Sequence, residues 1–148
     1  EIDGATYYLG TEKDGFMRTG WIRLEENSHA PGASESWYYF NSDGKMVTTQ
    51  YDKKIDGSYY TFIDGKMQTG WLLYNNTWYY LSESGAMVTG WITLGDKAYY
   101  LGGDGGMLTG WQNIDGQIYY LYPDGHKAVN EVIDTFYLDQ DGIWRKPQ

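Results

Sequence analysis

The 148-residue chain contains no cysteine, only two histidines and no long apolar run. Without cysteine, disulfide bonds, thiol catalysis and cysteine-based metal sites are excluded. A membrane-spanning helix needs roughly 18 or more consecutive apolar residues, so the sequence predicts a soluble domain with no transmembrane segment. Proline is also scarce, at 3 residues, whereas 18% of the residues are aromatic and can bury a folded core, which argues against a disordered chain.

Positive charge is limited as well. Eleven Lys and Arg residues are set against 20 Asp and Glu residues, which gives a formal net charge of −9. The basic residues are scattered and form no stripe for a phosphate backbone, so a nucleic-acid partner is not expected. A cationic ligand is electrostatically favoured, although many of the acids occur in Asp-Gly turns and serve backbone geometry there.

Aromatic residues, by contrast, are abundant and recur at a fixed period. Methionines of a Met-x-Thr motif are separated by 29, 21, 20 and 20 residues, and Gly-Trp follows four of the five motifs. The recurring positions are Met17, Met46, Met67, Met87 and Met107, then Trp21, Trp71, Trp91 and Trp111, with pairs at Tyr7-Tyr8, Tyr38-Tyr39, Tyr59-Tyr60, Tyr79-Tyr80, Tyr99-Tyr100 and Tyr119-Tyr120. Such a period is typical of a repeat architecture in which each unit is one supersecondary element.

The repeat changes at two places along the chain. A polar stretch at about residues 25–36 contains Gly, Pro and Ser and is predicted to be a loop insertion. Towards the C-terminus, Lys127 replaces the expected methionine and Glu131 the expected tryptophan, so residues 128–148 are predicted to cap the last unit. Because the chain opens within a repeat, we expect residues 1–148 to form one module of six hairpin units, the C-terminal part of a larger protein.

Each unit is predicted to be a β-hairpin. In Trp71–Leu81, Asn75-Asn76 can adopt the two positive φ values of a type I′ turn. Since strand side chains alternate between faces, pairing outward from the turn places Trp71, Leu73, Trp78 and Tyr80 on one face and Leu72, Tyr74, Tyr79 and Leu81 on the other. Gly95-Asp96 and Asp115-Gly116 lie at the same offset and predict two further hairpins of this plan.

A single hairpin of this size is marginally stable in water. Successive hairpins can form a continuous core if Tyr and Leu residues of one face cover the next hairpin. The predicted fold is therefore all-β, a β-solenoid of stacked short hairpins with a repeat of about 20 residues and no helix.

Catalytic and metal-binding residues are not evident in the sequence. His29 lies in the predicted insertion and His126 in a turn, and neither has a nucleophile near it in the pattern. Turn aspartates are too solvated to serve as the acid pair of a glycosidase. The stretches LGGDGGM and LDQDGIW lack the spaced acids and terminal Glu of a calcium loop. We therefore predict no enzyme activity, no metal and no cofactor for this segment.

Paired tryptophans are the strongest candidates for a binding site. On one face of the predicted hairpin, Trp71 and Trp78 are neighbours with Leu73 beside them, although a core would favour Leu, Ile or Val at such positions. We predict that the two indoles form walls of a box, with Tyr100 of the next hairpin as a third wall and Met107 as the floor. Such a box suits a quaternary ammonium ion, at roughly 0.5–2 kcal/mol per ring and about millimolar affinity.

The alternative is that the tryptophans only hold the hairpins together. This explains the Tyr-Tyr pairs well, but it does not explain why the preceding residue varies while the period is kept. That residue is Trp37 or Trp78 in two units and Thr6, Ser58, Ala98 or Ile118 in the others. A ligand wall that is kept at some sites and lost at others would vary in this way.

The repeat resembles a known family. Its pattern, G-W-x6-W-Y-Y-x5–6-G-x-M-x-T-G, is similar to the choline-binding, or cell-wall-binding, repeat of Gram-positive surface proteins and phage lysins, with residues 70–90 matching throughout and 20–48 matching with the insertion. The resemblance implies a non-catalytic, secreted or cell-surface module that anchors a larger protein to the wall by binding choline residues of teichoic or lipoteichoic acid. The boxes it implies are Trp71, Trp78, Tyr100 and Met107, and Trp21, Trp37, Tyr60 and Met67.

Other units depart from the family pattern. Ala98 and Ile118 replace the second indole after two of the Gly-Trp motifs, and Tyr51 replaces the tryptophan of the unit that contains Ser58. Boxes at these units are expected to be weaker or absent. The weaker candidate residues are Trp91, Trp111, Tyr80 and Tyr120.

Two other functions are compatible with the sequence. Related repeats with small residues before Tyr-Tyr occur in the glucan-binding regions of glucosyltransferases and in the receptor-binding repeats of clostridial toxins, so carbohydrate binding by ring stacking is the main alternative. A purely structural stalk or protein-adhesion surface is the third. Dimerisation through the C-terminal cap is a further expectation from the resemblance.

Overall fold

The protein consists of short β-hairpins. A computed structural model describes Ala5, residues 18–25 and residues 35–145, and within these ranges it contains strands, turns and bridges but no helix. The strands are β1 (Gly20–Glu25), β2 (Glu35–Phe40), β3 (Gln50–Ile55), β4 (Ser58–Ile63), β5 (Lys66–Met67), β6 (Gly70–Tyr74), β7 (Thr77–Leu81), β8 (Gly90–Leu94), β9 (Lys97–Leu101), β10 (Gly110–Ile114), β11 (Gln117–Leu121), β12 (Glu131–Ile133) and β13 (Phe136–Leu138). Consecutive strands pair as β1-β2, β3-β4-β5, β6-β7, β8-β9, β10-β11 and β12-β13. The all-β prediction is confirmed. Thr6, Tyr7-Tyr8, Met17, His29 and most of the predicted insertion lie outside the described residues.

The turns follow the predicted chemistry. Asn75 and Asn76 have φ values of 49° and 60°, which confirms the type I′ prediction, because both central residues of that turn need positive φ. Asp56 and Gly57 have the same combination, at 50° and 86°. The two hairpins predicted around Gly95-Asp96 and Asp115-Gly116 are also confirmed, as β8-β9 and β10-β11, with Trp91 opposite Tyr100 and Trp111 opposite Tyr120.

One strand position supplies the core of each hairpin. This position lies at or next to the end of the second strand of the hairpin, and in most units it directly follows the Tyr-Tyr pair. The side chains there are Phe40, Phe62, Leu81, Leu101, Leu121 and Leu138, each at most 2% exposed. Because strand residues alternate between faces, the residue two positions earlier points to the same side as this buried residue.

The described chain divides into two compact units, residues 1–70 with 81–86 and residues 71–80 with 87–148. In the first unit, Val47, Ile55 and Phe62 form a buried cluster. The half-buried side chains packed against this cluster are Trp21, Tyr39, Tyr60 and Met67. The first hairpin therefore stacks on the second through aromatic side chains.

In the second unit, main-chain hydrogen bonds connect each hairpin to the loop that follows the next one. The N–H of Met107 donates to the carbonyl of Trp78 at 2.8 Å. The same link recurs between Lys127 and Ala98 at 2.8 Å and between Trp144 and Ile118 at 2.9 Å. This repeated bond fixes the residue at the position of Met107 beside the preceding hairpin.

Two features are absent from the described residues. None of these residues belongs to a helix long and apolar enough to cross a membrane. In the same part of the chain, no three His, Asp or Glu side chains lie close enough together to hold a metal ion.

Candidate functional site

Four predicted residues of the first unit meet around one cavity, which we call the Trp21 cage. It has a volume of about 360 Å³ and is lined by Trp21, Trp37, Tyr60, Met67, Glu83 and Ser84. The two indole rings lie 6.4 Å apart between centroids at 83°, and the Tyr60 ring lies 4.9 Å from Trp21 at 67°. Trp37 is 41% exposed, so a ring face remains accessible to a ligand.

A second cavity, the Trp71 cage, lies in the second unit. It has a volume of about 290 Å³ and is lined by Trp71, Trp78, Met107, Pro123 and Asp124. The two indoles are again 6.4 Å apart, at 89°, and Trp78 is 42% exposed. The two cages therefore share one geometry although they lie in different units.

Perpendicular indoles are suited to a compact cation. The face of an indole carries negative electrostatic potential, and a cation within about 6 Å of the ring centroid is attracted to it. Two faces at nearly a right angle form a corner in which one methylated ammonium group can contact both rings. A sugar ring, by contrast, stacks best with one of its broad faces on a single open aromatic face.

The third ring of the Trp71 cage differs from the predicted one by one residue. The sequence predicts Tyr100, but the structure places the Tyr99 ring 5.1 Å from Trp71. The Tyr100 ring instead contacts the tryptophan of its own hairpin, Trp91, at 4.9 Å between ring centroids. The structure therefore replaces Tyr100 by Tyr99 as the ring of the next hairpin that faces Trp71.

The offset has a physical cause. Tyr60 and Tyr99 both lie two residues before a fully buried side chain, Phe62 or Leu101. Tyr100 lies one residue before its buried neighbour and so points to the opposite face, because a one-residue shift along a strand changes the face. The pair Tyr59-Tyr60 lies one residue further from the buried side chain of its strand than the pair Tyr99-Tyr100 does. Choosing the second Tyr of each pair therefore gives the right residue for the Trp21 cage and the wrong one for the Trp71 cage.

An acidic residue lines each cage, and neither acid is among the site residues predicted from the sequence. Glu83 lies at the Trp21 cage and Asp124 at the Trp71 cage. A backbone hydrogen bond from His126 is the main factor that holds the pKa of Asp124 below its usual 3.8, and contact with the His126 side chain acts in the same direction. Both acids lie one or two residues before a glycine with positive φ, Gly85 or Gly125. Asp104 precedes Gly105 in the same way and lines neither cage, so this spacing alone does not identify the cage acids.

The next pair of hairpins forms a site that already holds a cation of the chain. We call it the Trp91 site, where the Trp91 and Tyr119 rings lie 4.9 Å apart at 64°. The Nζ of Lys127 lies 5.1 Å from the Trp91 centroid and 5.8 Å from the Tyr119 centroid. It also donates a hydrogen bond to the carbonyl of Asp141 at 2.8 Å. Lys127 occupies the position that Met107 has in the Trp71 cage.

Negative charge surrounds the Trp91 site. Burial raises the pKa of the Tyr119 hydroxyl above its usual 10.0, and the carboxylates of Asp115, Asp139 and Asp141 raise this pKa further, against an opposing effect of Arg145. The same carboxylates favour a positive charge beside the rings. The site is therefore electrostatically matched to the Lys127 ammonium.

The last pair of hairpins forms a cavity that we call the Trp111 pocket. It has a volume of about 260 Å³ and is lined by Trp111, Ile118, Phe136 and Trp144. Trp111 is one of the weaker candidates predicted from the sequence, whereas the repeat pattern does not indicate Phe136 or Trp144. The remaining weaker candidates, Tyr80 and Tyr120, each lie 5.1 Å from the tryptophan of their own hairpin, Trp71 or Trp111.

The sequence matches family models in both units. Residues 53–90 and 88–131 match the choline-binding repeat, and residues 33–46 match a putative cell wall binding repeat. No curated protein sequence matches the chain at the required significance.

Solved structures from Streptococcus pneumoniae and from a phage share the fold. Choline binding protein F is 40% identical with a TM-score of 0.79 and covers 95% of this chain, which spans 44% of that protein. CbpJ is 39% identical with a TM-score of 0.81 and covers 97% of this chain, which spans 46% of that protein. The multimodular pneumococcal cell wall endolysin from phage Cp-1, solved in complex with choline, is 28% identical over 88% of this chain with a TM-score of 0.57, and this chain spans 38% of it.

These similarities confirm two of the predictions. The predicted β-solenoid of stacked hairpins is confirmed by the choline-binding proteins F and J, whose repeat domains have that fold. The matched repeat is a binding domain, and the described chain spans less than half the length of the first two relatives. The chain therefore belongs to the choline-binding repeat family, as a binding module and not as a catalytic domain.

Proposed function

We propose that this module attaches a larger protein to the bacterial cell wall by holding choline residues of teichoic or lipoteichoic acid in the Trp21 cage and the Trp71 cage. The observation that carries the proposal is the pair of cavities with perpendicular indoles, a methionine and a nearby acid. A methylated ammonium group has apolar methyls for the rings and the methionine, and a charge for the π faces and the carboxylate. The endolysin relative, which was solved with choline bound, supports the choice of ligand.

The Trp91 site gives independent support for a cationic ligand. There, the chain's own ammonium lies 5.1 and 5.8 Å from two ring centroids, and the two rings are arranged as in the cages. The spacing between the ring of one hairpin and the ring of the next is similar in all three sites, at 4.9, 5.1 and 4.9 Å. A position that holds an internal cation in one repeat is a natural position for an external cation in its neighbours.

The expected affinity of a single cage is low. Each aromatic wall contributes about 0.5–2 kcal/mol to cation binding, and association itself costs several kcal/mol, so about millimolar affinity is expected per site. Wall polymers carry many choline residues, and binding at one cage raises the effective concentration of ligand for the other. Weak single sites are thus sufficient for anchoring, and we infer a wall-associated, secreted location on the same grounds.

Carbohydrate binding remains the alternative, and an experiment separates the two. Trp37→Ala and Trp78→Ala should each remove one choline site, and the double variant should lose retention on a tertiary-amine resin from which the unmodified chain elutes with free choline. Tyr59→Ala is the matched control, because Tyr59 has the same strand position, is 39% exposed and lines neither cage. Retention on dextran that free choline does not compete away would select the carbohydrate alternative.

Dimerisation through the C-terminal cap stays a prediction. Val132 and Tyr137 of the last hairpin are 61% and 52% exposed, and such apolar exposure is compatible with an interface. Light scattering on the unmodified chain and on Val132→Asp, at matched concentrations, measures it. A monomer mass for both would reject the prediction.

A further inference from the structure

We propose that the Trp111 pocket is a third site for methylated ammonium groups, in which an indole from the C-terminal segment takes the place of the second strand tryptophan. This inference rests on the proposed function, because it assigns the same ligand class to another pocket. It departs from the expectation that Ile118 weakens or removes the box after Trp111.

Three aromatic rings enclose the pocket. Phe136 lies 5.7 Å from Trp111 at 84° and 5.6 Å from Trp144 at 90°, measured between ring centroids. Phe136 lies two residues before the fully buried Leu138, the position that Tyr99 has relative to Leu101. The ring of the next hairpin is thus preserved, as phenylalanine instead of tyrosine.

Trp144 reaches the pocket through the repeat's own backbone arrangement. The backbone N–H of Trp144 donates to the carbonyl of Ile118 at 2.9 Å, as the backbone N–H of Met107 does to the carbonyl of Trp78 in the Trp71 cage. Trp144 also forms a bridge with Leu138, which corresponds to the bridge between Met107 and Leu101. Trp144 therefore occupies the methionine position of this pocket.

The two substitutions compensate each other in size. In the Trp71 cage, a large Trp78 lies beside the flexible, smaller Met107, whereas in the Trp111 pocket the small Ile118 lies beside the large Trp144. The strand position loses an indole and the loop position gains one. The pocket keeps two indoles and a third ring, although the second indole comes from a different part of the repeat.

The loop that carries Trp144 is fixed by Asp139. Its carboxylate accepts hydrogen bonds at 2.9 Å from the N–H groups of Asp141 and Ile143 and from Nε of Arg145. The Arg145 side chain is the main factor that holds the pKa of Asp139 below its usual 3.8, followed by the Ile143 hydrogen bond. The residues on both sides of Trp144 are therefore held by one carboxylate, which orients the indole.

The Trp111 pocket differs from the cages in its charge. None of its four lining residues is ionisable, whereas an acid lines each cage. Attraction for a cation there comes from the ring faces alone, and the methyl groups of the ligand supply the rest through apolar contact. We therefore expect the Trp111 pocket to discriminate less than the cages between choline and its neutral isostere 3,3-dimethylbutan-1-ol.

The test is a titration of the whole chain with choline, followed by the indole N–H resonances of its tryptophans in 15N NMR spectra. The expected result is a saturable shift of the Trp111 and Trp144 resonances, in addition to those of the cage tryptophans. A titration with 3,3-dimethylbutan-1-ol should shift the same resonances. The ratio of its half-saturating concentration to that of choline should be smaller for Trp111 and Trp144 than for Trp71 and Trp78.

The outcomes separate this inference from the proposed function. If the cage tryptophans shift while Trp111 and Trp144 do not, the inference is overturned and the proposed function is kept. If no tryptophan responds to choline at concentrations far above the expected affinity, both are overturned.

Two variants test the geometry of the pocket. Trp144→Leu and Phe136→Leu should each weaken the choline response of Trp111 by about twofold to thirtyfold, the range expected for one ring. Tyr137→Leu is the matched control, because Tyr137 lies on the same strand, is exposed and does not line the pocket. An unchanged Trp111 response in both test variants, with the Trp71 and Trp91 resonances at their original positions as proof of folding, would overturn the assignment.

Discussion

Lys127 closes the Trp91 site, and its replacement should open a new site for choline. The Nζ lies 5.1 and 5.8 Å from two ring centroids, both within the range of a cation–π interaction. At about 0.5–1 kcal/mol per ring for a partly exposed cation, a ligand that displaces the ammonium loses about 1–2 kcal/mol of affinity. This corresponds to binding that is about fivefold to thirtyfold weaker than at an equivalent open site.

Two changes are needed to reproduce the Trp71 cage at this position. Lys127→Met removes the internal cation, and Ala98→Trp adds the missing second indole. The double variant should therefore bind choline at Trp91 with about millimolar affinity, whereas Ala98→Trp alone should respond about fivefold to thirtyfold more weakly. Lys127→Met alone lacks one ring and should also remain weaker than the double variant. Because residues 98 and 127 are in contact, the effects of the two substitutions on choline affinity should not be additive.

The assay is a choline titration that follows the indole resonance of Trp91, with the cage tryptophans as internal references. Ala98→Trp combined with Lys127→Arg is the matched control, because arginine keeps a cation beside the rings and should leave the site closed. If Ala98→Trp responds as strongly as the double variant with Lys127→Met, or if Trp91 of the unmodified chain binds choline as tightly as the cages do, Lys127 does not close the site.

Three further predictions concern the Trp71 cage. Tyr99→Ala should weaken choline binding there by about twofold to thirtyfold in an NMR titration of the cage indoles, whereas Tyr100→Ala should leave that affinity unchanged. Asp124→Asn should weaken binding by about twofold to fivefold at low salt, because it removes one nearby charge at a partly exposed site. The fold holds the pKa of Asp124 below its usual 3.8. The contributions of Asp124 to binding and to folding stability should therefore be complete above pH 3.8 and be lost as the pH falls through the lower pKa of the folded state. Gly125→Ala should destabilise the fold by about 1–3 kcal/mol in thermal unfolding and displace Met107 from the cage, because Gly125 has a φ of +93° and an added Cβ would clash with the Met107 sulfur. Unchanged stability and affinity would contradict this prediction.

Local features of the hairpins could be predicted from the sequence. The Asn75-Asn76 pair indicated one turn, and Gly95-Asp96 and Asp115-Gly116 at the same offset indicated the next two hairpins. These features depend on neighbouring residues and on the period of a strand, which are visible in a single sequence.

Features that depend on how hairpins stack could not be obtained by counting. The choice between Tyr99 and Tyr100 depends on which face of one hairpin meets the next, and a one-residue offset reverses the answer. Trp144 belongs to the segment interpreted as a cap, and nothing in its local sequence indicates that it lies beside Trp111. In the sequence, Lys127 only marks the loss of the repeat's methionine, whereas in the structure its ammonium lies over two rings of the stack.

The acids illustrate the same limit. Asp124 is a turn residue, and the interpretation of such acids as contributors to backbone geometry is supported by its hydrogen bond to the His126 N–H at 3.0 Å. The same residue also lines the Trp71 cage. A role in the turn and a role at the site are compatible, and only the three-dimensional arrangement separates Asp124 from the turn acids that line no cage.

The most direct test of the cages is whether the methyl protons of choline lie against the paired indoles. Nuclear Overhauser contacts between the choline methyl protons and the ring protons of the chain measure this proximity without reference to affinity or folding. The account predicts contacts to Trp21 and Trp37 in one cage and to Trp71 and Trp78 in the other. Contacts confined to other aromatic side chains, or none at saturating choline, would contradict it.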